Sequence, residues 1–327
     1  MKRRDFIIIL GGTAGAWPLA ALTQPHAVPV IGFLSGRAQE ESAHLVEAYR
    51  SGLKEGDFVE GQNLTIEFRW ALGDYSRLPA LAADLVTRNV TVISAVGGDL
   101  SPLAAKAATA TIPIIFNFGG DPVHAGLIAS FNRPGGNATG ISTSVNLMEP
   151  KRLGLLRELA PGVVLIGALI NPKFPPAVRQ AREIEDAARA LRQPIIFAKA
   201  STDEELEAAF ASLVRDRVGA LLVGADPFFD IHRDRIVAFA AQRRLPTIYQ
   251  FREFALAGGV MSYGQNFAEI YRQNGQYTVK VLKGAKPADL PVQQVEKLEL
   301  VINLKAAKVQ GITISADLLS LADEVIE

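Results

Sequence analysis

The 327-residue chain has no cysteine. That absence excludes disulfides, a thiolate nucleophile, thiolate metal sites and a lipid-modified cysteine at a processed N-terminus. Histidine is scarce as well: His26, His44, His124 and His232 are scattered and form no ligand spacing. Neither charge sign dominates, with 34 Lys+Arg against 34 Asp+Glu. No basic stripe interrupts the chain, so nucleic acid is excluded as a partner. No G-x-S-x-G elbow, P-loop or H-E-x-x-H motif occurs, and no metal or cofactor is predicted. A glycosylation pattern at Asn63-Leu64-Thr65 and Asn137-Ala138-Thr139 is read as chance.

What is present begins at the N-terminus. Lys2, Arg3 and Arg4 precede the apolar run Phe6-Ile7-Ile8-Ile9-Leu10, followed by glycines and an alanine-rich stretch near Ala20-Ala21. A basic segment, a short apolar segment and small residues predict a removable export signal over 1–26 and a periplasmic location. The apolar run is too short to persist as a membrane span. The Arg3-Arg4 pair predicts the twin-arginine type, with the ordinary secretory route as the alternative. Gly11-Gly12-Thr13-Ala14-Gly15 imitates a dinucleotide loop but falls inside the signal. Removing the signal leaves a slight excess of negative charge.

From Val28 onward, short apolar runs alternate with helical segments. Strands are predicted at 30–34, 64–70, 90–95, 114–117 and 138–142, with helices at 40–55, 77–88 and 101–110. The alternating pattern of 64–70 places that strand nearer a sheet edge. The rhythm restarts with a helix at 150–159, then strands at 163–170, 195–198, 220–224 and 247–249. Helices at 177–191, 203–215 and 231–242 separate them. Nearly continuous apolar strands between helices predict parallel sheets covered on both faces. The fold class is therefore α/β, with two doubly wound, Rossmann-like lobes. The last stretch is too short for a third core and should add back to the two lobes. The expected division is 28–143 plus about 260–285 for the N-terminal lobe, and 146–256 plus about 290–327 for the C-terminal lobe.

Parallel open sheets bind ligands at the carboxyl ends of their strands. Those ends carry Ser35-Gly36-Arg37, Gly97-Gly98-Asp99, Asn117-Phe118-Gly119-Gly120-Asp121, Asn171-Pro172, Ala225-Asp226-Pro227-Phe228 and Tyr249-Gln250-Phe251. Glycine admits close backbone approach, and helix N-termini offer N–H donors. The candidate ligand-binding residues are Ser35, Gly36, Gly97, Gly98, Asp99, Asn117, Gly120, Asp121, Asn171, Asp226, Phe228, Tyr249 and Tyr263. A plainer reading stands beside several of them. Asp99, Asp121 and Asp226 each precede a predicted helix, where the plainer role of an Asp is an N-cap. Phe228 and Phe251 could be core residues. No catalytic residue is assigned. A secreted enzyme using Asp121 and His124 as an acid–base pair is the rival class.

Two segments then resemble a known family. They are Asp121-Pro122-Val123-His124-Ala125-Gly126-Leu127-Ile128 and Arg133-Pro134-Gly135-Gly136-Asn137-Ala138-Thr139-Gly140. Further matching stretches are Arg244-Leu245-Pro246-Thr247-Ile248-Tyr249, Gly258-Gly259-Val260-Met261-Ser262-Tyr263-Gly264 and Lys283-Gly284-Ala285-Lys286-Pro287. Together they are similar to the ABC-transporter substrate-binding proteins related to bacterial tryptophan/tyrosine-binding proteins. The resemblance implies a class I periplasmic-binding-protein fold that closes on a small organic ligand, such as an aromatic amino acid or related carboxylate. It also implies an ABC permease in the membrane as partner, with a ligand-presenting sensor subunit as the alternative role, and a monomer. Where the resemblance implies a small Thr/Pro/Ala loop after the third strand, this chain has Gly97-Gly98-Asp99-Leu100. An acid there repels a ligand carboxylate unless it caps the helix.

Overall fold

The computed structural model describes residues 28–143 and 148–327. The predicted export signal lies outside the described residues. The first lobe holds β1 (Val30–Ser35), α1 (Ala43–Lys54), β2 (Thr65–Trp70), α2 (Leu78–Thr87), β3 (Val92–Val96), α3 (Leu100–Ala108), β4 (Ile114–Phe118) and β5 (Ala138–Ser142). The second holds α4 (Glu149–Leu159), β6 (Ile166–Ile170), α5 (Ala177–Ala190), β7 (Ile195–Lys199), α6 (Asp203–Arg215), β8 (Ala220–Val223), α7 (Pro227–Ile231), α8 (Arg233–Gln242), β9 (Thr247–Tyr249), α9 (Arg252–Leu256) and β10 (Met261–Gly264). The chain then crosses back with α10 (Phe267–Leu282) and β11 (Gln293–Gln294). It returns to the second lobe for β12 (Glu299–Asn303), α11 (Leu304–Gln310), α12 (Ala316–Ser320) and β13 (Glu324–Ile326).

The sheet orders are β11-β5-β4-β3-β1-β2 and β13-β12-β10-β9-β8-β6-β7. Every pairing within them is parallel except β10 with β12. Strands β3, β4, β5, β6 and β8 are buried along their whole length. Both faces are covered, so these strands are mostly apolar, and their few polar residues, Ser94, Asn117, Thr139 and Ser142, are themselves buried. The alternating β2 does lie at a sheet edge.

Three details differ from the sequence-based expectation. The strand expected at 163–170 begins at Ile166, because Val164 before it is solvent-exposed. The helix expected over 231–242 is α8, which begins at Arg233, and an additional short helix, α7, precedes it and meets it at His232. The lobe boundaries also shift. Met261–Gly264, expected in the N-terminal lobe, pairs with β9 and β12 in the second sheet. Gln293–Gln294, expected in the C-terminal lobe, pairs with β5 in the first. Hydrogen bonding decides this, and a four-residue apolar strand carries no mark of which sheet it will join.

The connections cluster. Gln265 donates from its side-chain amide to the carbonyl of Thr143, and Val295 N–H donates to the Ser142 carbonyl at 3.0 Å. Three separate stretches of chain therefore meet where the lobes join. The returning helix α10 is part of the first lobe's core. A Cβ on Gly52 would overlap the Arg272 carbonyl, and one on Gly275 would overlap that of Tyr49. The bare glycines let α1 and α10 cross at backbone contact, with Phe33 edge-on to Tyr49 at 5.3 Å beneath them.

Candidate functional site

The carboxyl ends of both sheets face each other. Between them is a small cavity of about 40 Å³. Its floor on the first lobe is the loop after β3. Gly97 and Gly98 have φ of +70° and +114°, which side chains rarely adopt. A Cβ on Gly98 would meet Pro227 of the opposite lobe at 2.8 Å. Glycine here is what lets the lobes approach.

Two polar bridges span the cleft. The Arg37 guanidinium lies 2.6 Å from the Asp230 carboxylate, and both side chains are buried. Arg37 also stands 5.6 Å from the Phe251 ring and 5.4 Å from the Phe267 ring. The Tyr75 hydroxyl donates to Asp226 at 2.9 Å. Asn171 Nδ2 and the Phe228 N–H donate to the same carboxylate at 3.1 and 2.7 Å. Burial pushes the Asp226 carboxyl up to about 7, against those three hydrogen bonds. Burial likewise pushes Asp230 up to about 6, with Arg37 pulling the other way. Burial alone would lower the Arg37 guanidinium, but Asp230 and its other neighbours leave it raised. The β8 loop carrying Asp226 is braced from behind by a fully buried pair. Glu149 accepts from Arg152 at 3.0 Å and from the Ala225 N–H at 3.2 Å, and Arg152 Nε donates to the Tyr263 carbonyl at 2.9 Å.

Of the expected residues, Gly97, Gly98, Asp99, Asn117 and Asp226 line the cavity together. Asp99 precedes α3 without a side-chain capping bond, and its carboxylate accepts from the Gly119 N–H at 2.6 Å. Asp226 caps α7 and faces the cleft as well. Asn171 and Phe228 border a wider groove of about 740 Å³ on the far side of Tyr75. The others lie outside the cavity. Ser35 is buried and accepts from the Arg37 N–H at 3.2 Å, and Gly36 abuts the Gly97 carbonyl. Gly120 stands behind Asp99. Asp121 is exposed and accepts from the N–H groups of Val123 and His124 inside a turn; the helix expected after it does not form, and neither Asp121 nor His124 lines the cavity. Tyr249 is in the core, stacked on Phe254 at 4.8 Å. Tyr263 points into the second lobe's own packing.

Arg37, Phe174, Asp230, Phe251 and Phe267 line the cavity but were not among the chosen candidates. Arg37 and Phe251 sat in loops already singled out. Asp230 is four residues after Asp226, one helical turn on, and that spacing could have found it. Phe174, Phe267 and Tyr75 had no such signal, because only the meeting of the lobes brings them near. Among the described residues, no group of three or more His, Asp or Glu is arranged to hold a metal ion. No helix among them is long and apolar enough to cross a membrane.

The description of ABC transporter substrate binding proteins matches residues 27–326. The chain belongs to this family. Its members bind solutes and are not enzymes. The substrate-binding protein is similar to the tyrosine-binding protein of Clostridioides difficile strain R20291, with 28% identity over 270 residues, 82% of this chain and 77% of that one. It also superposes on the L-Trp complex of an ABC domain from Streptococcus pneumoniae. There the TM-score is 0.80 at 25% identity, covering 92% of this chain and all (100%) of that one. A conserved domain protein from Vibrio cholerae O1 biovar El Tor gives a TM-score of 0.82 at 25% identity, covering 91% of this chain and 100% of that one.

Proposed function

We propose that this substrate-binding protein is exported by the signal at 1–26 and captures a small organic solute as a monomer by hinge closure of its two lobes. It then presents the closed form to an ABC permease for import. The observation that carries the capture step is the pair of bridges across the cleft, Arg37–Asp230 and Tyr75–Asp226. Groups from both lobes meet around one cavity, so a ligand touching both walls stabilises the closed state over the open one. Cavity rings from Phe174, Phe251 and Phe267 suit an apolar body. The tyrosine-binding and tryptophan-complexed relatives support an aromatic amino acid or a related carboxylate as the solute.

The test is a thermal-shift screen of the processed protein against amino acids, aromatic acids and small peptides, followed by small-angle scattering of any hit. A solute should raise the melting temperature in proportion to the logarithm of its concentration and shrink the radius of gyration. A library-wide absence of any shift, with an unchanging radius, defeats the reading.

A further inference from the structure

Asn117 is an unusual residue for its place. It lies in β4, a strand buried along its whole length, and is itself 5% exposed. Its side-chain oxygen is engaged. Oδ1 accepts from Asn274 Nδ2 of α10 at 2.9 Å, and Asn274 Oδ1 accepts from the Ser94 hydroxyl of β3 at 2.7 Å. Ser94 and Asn274 are fully buried. The three side chains form a polar line through an apolar layer, where any member left unpaired is costly.

One atom of that line is left over. Among the described residues, Asn117 Nδ2 has no hydrogen-bond partner. Asn117 also lines the cavity between the lobes. With Oδ1 held by α10, the NH2 is the end that remains for the cavity. A leucine of similar shape would fill the same space without an orphaned donor, so packing alone gives no reason for the amide. An oxygen on a bound solute does, because it supplies the missing acceptor.

We propose that Asn117 is a specificity-determining residue of the cleft, its Nδ2 donating to a carboxylate or carbonyl oxygen of the solute, and that Asn274 is the positioning residue that aims it. This rests on the solute-binding reading above and deepens it. A site with a buried donor rejects a similar molecule that lacks the oxygen, because the donor then stays unpaired in the closed cleft. Asn274 acts without lining the cavity. An ionised aspartate in its place could only accept. It would claim Asn117 Nδ2 for itself and turn Oδ1 toward the solute.

Calorimetric titration with L-tryptophan and tryptamine tests it, since both carry the indole and the amine and only tryptophan carries an oxygen acceptor. The wild-type protein should bind tryptophan at least about tenfold more tightly than tryptamine. Asn117→Leu, which buries no charge, and Asn274→Asp should each weaken tryptophan by about tenfold or more and leave tryptamine where it was. Circular dichroism and the melting temperature of the solute-free variants establish that they are folded. Should Asn117→Leu not fold, Asn274→Asp decides by the same ratio. A folded variant that binds tryptophan as the wild type does overturns the assignment. So does an equal loss for tryptophan and tryptamine, which is a structural effect alone. In both cases solute binding itself stands. Silence of both probes with the wild-type protein, with no contraction of the lobes, counts against solute binding and takes this assignment with it.

Discussion

Arg37 and Asp230 come from different lobes, and both side chains are buried where the lobes meet. A buried charge that loses its counter-ion is strongly penalised, whereas in an open form both groups would be hydrated. Arg37→Met keeps most of the apolar stem that lies on Phe251 and Phe267 and removes the charge. It should disfavour closure by about 3 kcal/mol. Small-angle scattering in the presence of a bound solute would read this as a larger radius of gyration and a weaker apparent affinity. An unchanged radius would mean that the pair is incidental to closure. Asp99 makes the complementary point about local reasoning. Its position before α3 suggests a cap, but the carboxylate turns away to the Gly119 N–H and the cavity.

Among the elements, α10 links the most distant parts of the argument. It follows a strand of the second lobe, docks on α1 in the first, and through Asn274 sets the orientation of Asn117. Its seat depends on glycine. Gly275→Ala would push the new methyl into the Tyr49 carbonyl, and backbone has little freedom to yield. The substitution should cost about 1–3 kcal/mol, the range for overpacking a close interface. Urea denaturation would check the loss, and a loosened Asn117 should lower solute affinity in the same variant. The strands were readable from their composition, since β3, β4, β6 and β8 are buried on both faces and are apolar apart from Ser94 and Asn117, whose side chains hydrogen-bond to Asn274. The destination of the short late strands was not, because pairing partners are chosen by three-dimensional proximity. Residues 261–264 and 293–294 therefore landed in the opposite sheets from those expected.

For the molecule as a whole, closure should respond to pH. Asp226 sits at about 7 and Asp230 at about 6 in the closed form, both above the ordinary carboxylate value near 4. The closed form thus binds more protons than an open form with hydrated carboxyls. Its advantage is complete below about pH 4 and fades as pH rises through 6 to 7. In the absence of solute, the radius of gyration should accordingly grow between pH 5 and about 8, and Asp226→Asn should flatten much of that change. A radius independent of pH in both proteins would show that these carboxyls are equally hydrated in the two forms.

The sequence by itself determined the two α/β series, the glycine- and acid-bearing loops at their strand ends and the family. Each of these depends on neighbours in the chain: apolar periodicity, turn residues and contiguous motifs. Tertiary structure alone decided which loops form a site. Gly97, Gly98, Asp99, Asn117 and Asp226 converge, while Asp121 caps its own turn and Tyr249 joins the core. It also supplied Tyr75, Phe174 and Phe267, which belong to the cleft only because two lobes face each other across three crossings of the chain. Burial against a distant surface has no local signature, so the partners of a closing cleft become visible only once the chain has folded.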